Sequence, residues 1–106
     1  MEKPPELSPA EAYEAIQRLL HECDERLGLP DHARDRMLER NVNNDDILNV
    51  LRNGTVSQPE WNETRGGHWR YPVSGLDIDG APLVVVIVLE PKFCRITIVT
   101  VKDKSQ

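Results

Sequence analysis

Apolar positions in the first third of the chain recur at helical spacing. Ala12, Ile16, Leu19, Leu20, Cys23 and Leu27 fall on one stripe, the period of an amphipathic helix. Ser8-Pro9-Ala10-Glu11 supplies its start, a capping box with proline at the first helical position. Gly28 is placed to end it. A second helix is predicted from Asp31, as N-cap, to about Arg40, with Asn41 suited to the left-handed position that follows. A third, short helix is capped by Asn43 or Asn44. It carries Ile47, Leu48, Val50 and Leu51, and Asn53-Gly54 stops it.

From Thr55 the period changes to two. Thr55–Ser57 reads as a short strand. In His68–Ser74, Trp69, Tyr71 and Val73 share one face while His68, Arg70 and Ser74 share the other. Asp77-Ile78-Asp79-Gly80 is a turn signal. Leu83–Leu89 is apolar throughout, as expected of a central strand covered on both faces. Glu90-Pro91-Lys92 turns the chain, and Arg95–Val101 is the last strand. The predicted fold is therefore α+β, with two or three N-terminal helices on one face of a four-stranded antiparallel sheet. With 106 residues the chain is read as a single domain, 1–106. Residues 1–29 form an extension with its helix, and 31–102 form the core.

Composition narrows the function classes. With 39% hydrophobic and 29% charged residues the chain is globular rather than disordered. Its net charge of −5 is concentrated at the start: residues 1–30 hold three basic and seven acidic side chains. Such a balance lacks the broad basic footprint of most nucleic-acid binders, and leaves room only for a local arginine cluster. The longest apolar run has seven residues, far short of a membrane span, so no membrane partner is expected. The opening Met-Glu-Lys-Pro-Pro has no apolar signal core. Cys23 and Cys94 sit in no C-x-x-C pattern and are read as free, mostly buried thiols of a protein expected in the cytoplasm.

The order of motifs resembles a known family. His32-Ala33-Arg34-Asp35-Arg36-Met37-Leu38-Glu39-Arg40 fits H-A-x-x-R-M-x-x-R. It is followed by Asp46–Gly54, Trp69-Arg70-Tyr71, Leu76–Gly80 and a valine-rich strand. This succession is similar to a widespread bacterial domain-of-unknown-function family, itself distantly similar to the RelE-like toxins. The resemblance covers roughly residues 31–102. It implies a RelE-like outline for the fold and ribonuclease activity under the control of a cognate antitoxin-like protein, with RNA as substrate.

Four residues are the candidate catalytic set. His32, Arg36 and Arg40 recur at i, i+4 and i+8 and form one stripe on the second helix. Arg70 faces the same side of its strand as His68. Metal-independent RNA cleavage needs a base, an acid and a cation for the phosphoryl charge. His32 or His68 would move protons, and Arg36, Arg40 or Arg70 would supply charge. The contrary reading is a solvated helix face and an exposed polar sheet face. Neither metal-ligand spacing nor a Gly-rich phosphate loop occurs, so no metal or cofactor is expected. The alternative function is a non-catalytic interaction module, with a homodimer formed through the first helix.

Overall fold

The computed structural model describes residues 4–103. Helix α1 (Pro9–Glu22) starts at the predicted capping box: Ser8 Oγ accepts from the Glu11 amide and Glu11 Oε1 accepts from the Ser8 amide. It ends earlier than the apolar stripe suggests. Cys23 is the C-cap, Asp24 and Glu25 take left-handed backbone conformations, and Leu27–Gly28 forms a short strand, β1, instead of the last helical turn. Gly28 serves a close approach rather than a helix end. A Cβ there would stand 2.6 Å from Thr97 Oγ1 on the neighbouring strand.

Helix α2 (Asp31–Glu39) begins one residue earlier than expected, with Pro30 at the cap position and Asp31 as its first residue. Asn41 takes the left-handed conformation predicted for it. Helix α3 (Asn44–Asn53) is capped by Asn43, whose side chain and backbone exchange hydrogen bonds with Asp46. The second carboxylate oxygen of Asp46 accepts from the Ile78 amide at 3.0 Å, so this buried acid ties α3 to the Asp77–Gly80 turn. Gly54 packs so tightly between α3 and the sheet that a Cβ would meet the carbonyls of Val50 and Ser74.

The sheet has six strands rather than the four expected, and it is mixed rather than purely antiparallel. Strands β2 (Thr55–Val56) and β3 (Glu60–Asn62) pair with opposite ends of β4 (His68–Leu76), and β5 (Pro82–Glu90) lies between β4 and β6 (Arg95–Lys102). The order is β1-β6-β5-β4-β2, with β1 parallel to β6. The two added strands, β1 and β3, are two and three residues long, too short to show alternation. Central β5 is flanked as predicted by the strands before and after it.

One face of the sheet carries the core. Tyr71, Val73, Leu83, Val85, Ile87, Ile96, Ile98 and Val101 pack against Ala12, Ile16, Leu19 and Leu20 of α1, Ala33 and Met37 of α2, and Ile47, Val50 and Leu51 of α3. Strand β6 reaches this arrangement through a bulge. Val86 pairs with Thr100 but Ile87 with Ile98, so Val99 is extra and both Ile98 and Val101 point inward. The helices thus cover the aromatic face. Its apolar stripe places α1 in the chain's own core, leaving little of that stripe for a second copy.

The cysteines are not free thiols. Cys23 and Cys94 form a disulfide that closes a separation of 71 residues, with Cα atoms 5.5 Å apart. The fold brings the end of α1 against the β5–β6 turn, well within bridging distance. Separation along the sequence carries no information about that approach.

Candidate functional site

Strand alternation puts His68 and Arg70 of β4, Val88 and Glu90 of β5, and Thr97 of β6 on the face away from the helices. These residues line a cleft of about 670 Å³. Thr64 and Gly67, from the turn between β3 and β4, form one wall. Pro30, Asp31 and His32 form another, because β1 stops at Gly28 and the chain enters α2 at the edge of β6.

Within the cleft, Arg70 Nε donates to His68 Nε2 at 3.3 Å. Glu90 is held by two donors. Arg95 Nε approaches its Oε1 at 3.1 Å, and Thr97 Oγ1 donates to the same oxygen. Burial by itself would raise the Glu90 carboxyl. The hydrogen bonds from Thr97 and Arg95, with the positive charge of Arg95, outweigh it and hold the group below its ordinary value. The cleft therefore combines two imidazoles and a guanidinium with one anchored carboxylate.

The predicted set divides. His32 and Arg70 line this cleft, together with His68. Arg36 and Arg40 do not. Arg36 is exposed and pairs with Glu39 at 3.1 Å, one turn further along α2. Arg40 pairs with Asp103 at 3.1 Å. The three residues share a stripe, but a helix rises 1.5 Å per residue, so Arg36 and Arg40 start roughly 6 and 12 Å further along the axis than His32. Only the first turn of α2 reaches the cleft. Arg70 joins His32 even though it points away from the helices, because the cleft wraps around the β6 edge to meet the start of α2.

Glu90 and Thr97 are site residues that the sequence reading misses. Glu90 reads as part of a turn because Pro91 follows it. Its two-residue spacing from Val84, Val86 and Val88 is the one signal that places it on their face. Among the described residues no three His, Cys, Asp or Glu side chains are grouped to hold a metal ion. No helix among them is long and apolar enough to cross a membrane.

No curated protein and no solved structure matches the chain. A family model described as a domain of unknown function, DUF4258, matches residues 29–103. That segment includes every residue lining the cleft and leaves out α1 and Cys23. The chain therefore belongs to the DUF4258 family.

Proposed function

We propose that the cleft is the active site of a small, metal-independent ribonuclease of the RelE-like toxin kind. One observation carries the reading. Two histidines and an arginine, from a helix start and a strand, converge on one cleft beside an ionised carboxylate. The cation that such chemistry needs is local, which agrees with a net-acidic chain.

The reaction this set suits is transesterification. The ribose 2′-oxygen attacks the adjacent phosphorus while one imidazole takes its proton. The bond from phosphorus to the 5′-oxygen breaks, and the other imidazole, protonated, gives that oxygen a proton. The products are a 2′,3′-cyclic phosphate and a free 5′-hydroxyl. Arg70 stands where it can balance charge gathering on the phosphoryl oxygens. His68, bound to Arg70, is held in orientation, whereas His32 sits on the opposing wall.

The test is cleavage of single-stranded RNA in the presence of a chelator, with cyclic phosphate ends as the product signature. His32→Ala and His68→Ala should each lower the rate by about 10²–10⁴-fold. Arg70→Ala should lower it by about 10²-fold or more. Arg36→Ala should leave it unchanged. In cells, expression should arrest growth and His32→Ala should relieve the arrest. Absence of cleavage, or equal rates for all four variants, rejects the reading.

A further inference from the structure

We infer that the Cys23–Cys94 disulfide is a thiol-sensitive clamp on the cleft, whose reduction frees the turn carrying Glu90 and Arg95 and so loosens one side of the site.

Both ends of the bond lead to Glu90. Cys94 takes a left-handed backbone conformation, φ 52° and ψ 50°, at the end of the Pro91–Phe93 turn. A residue with a Cβ stays there only where its surroundings impose it, and the link to Cys23 is a covalent constraint of that sort. The next residue, Arg95, holds Glu90. From the other end, the chain after Cys23 lies against β6. Ile96 donates to the Arg26 carbonyl at 3.3 Å, and Gly28 presses on Thr97, which also holds Glu90. Loss of the bond therefore loosens both donors of the cleft carboxylate.

The bond is reachable. Both cysteines line a surface pocket of about 450 Å³ with Glu22, Asp24 and Arg26, and Cys94 is exposed. The reductant is a small-molecule thiol. Its thiolate attacks Cys94 Sγ, the bond between the cysteines breaks, and Cys23 leaves as a thiolate that takes up a proton. A second thiol of the reductant attacks the mixed disulfide, releases Cys94, and leaves the reductant oxidised. Two electrons and two protons pass to the protein.

The test compares oxidised wild-type protein, dithiothreitol-reduced wild-type protein and the double variant Cys23→Ala/Cys94→Ala by residue-resolved hydrogen exchange and thermal unfolding. Reduction should speed exchange by about tenfold or more over residues 24–28 and 92–97 while amides of central β5 keep their protection. A single cooperative melt should persist, and the double variant should match the reduced protein. Unchanged exchange over 92–97 overturns the inference. Global unfolding on reduction also overturns it, because the bond is then a staple of the whole fold. If the double variant does not fold, the reduced wild-type protein decides alone. The effect on cleavage rests on the ribonuclease reading: reduction should lower the rate about tenfold, a shift of about 1.4 kcal/mol in barrier, and reoxidation should restore it. Failure of the oxidised protein to cleave RNA rejects that reading but leaves the exchange comparison standing.

Discussion

At the scale of single residues, Glu90 connects the site to the fold. Its carboxyl accepts from both Arg95 and Thr97 and is held below its ordinary value of 4.5. Since the folded value is the lower one, the unfolded chain binds the proton more readily in the window just beneath 4.5. The carboxylate's contribution is complete above that window and disappears as pH falls through the folded value. Urea midpoints measured from neutral pH downward should show this fall in the wild-type protein and a shallower one in Glu90→Gln. Identical profiles would mean that the two donors add nothing to the folded state. Asp46 shows the same logic without any part in the cleft: both of its oxygens accept backbone amides, so its burial serves the junction of α3 with the β4–β5 turn.

At the scale of elements, β5 is the strand on which the others depend. Leu83, Val85 and Ile87 fill the core, while Val84 and Val86 are buried on the opposite face between β4 and β6. A carboxylate introduced on either face of this buried strand loses most of its hydration. Val86→Asp should cost about 3–5 kcal/mol, and Val85→Asp, at the fully covered position, at least as much. Denaturant unfolding measures both, and near-wild-type stability for Val86→Asp would remove the two-sided burial of β5. The continuous apolar run Leu83–Leu89 makes this strand legible from its residues alone. By contrast β1 and β3 are invisible to periodicity, because two or three residues cannot display a period. They exist because β6 and β4 have open edges beside them.

At the scale of the molecule, the family segment does not contain the whole core. Residues 29–103 match DUF4258, yet Ala12, Ile16, Leu19 and Leu20 of α1 lie in the same apolar cluster as the sheet. Residues 4–7 add a strap. Trp69 Nε1 donates to the Pro4 carbonyl at 2.7 Å and the Leu7 amide donates to Tyr71 Oη at 3.0 Å. Deleting residues 1–29 uncovers the core, removes β1 and leaves Cys94 without its partner. The truncated chain should aggregate or lose its cooperative melt, as sedimentation and calorimetry would report; a soluble, equally heat-stable monomer would show that α1 is dispensable. The disulfide also changes the setting. The expectation of a cytoplasmic location rests in part on unpaired cysteines, and their pairing removes that part, since disulfides persist mainly in oxidising compartments.

The sequence by itself determined what local chemistry controls. The cap at Ser8, a cap at Asn43 or Asn44, the helical stripe of α1, the alternation of β4, the apolar run of β5 and the left-handed Asn41 each follow from neighbours within a few residues. The tertiary structure decided what depends on distance in space. It paired Cys23 with Cys94, ended α1 early so that Gly28 could lie against Thr97, and inserted Val99 as a bulge that turned Val101 inward. It also split the predicted site. Helical spacing sets angle but says nothing of which turn meets the sheet edge, so His32 reached the cleft and Arg36 and Arg40 did not. Glu90 became part of the cleft for the same reason, because the parity of a strand places a side chain on a face and only the packing of its neighbours makes that face a cleft.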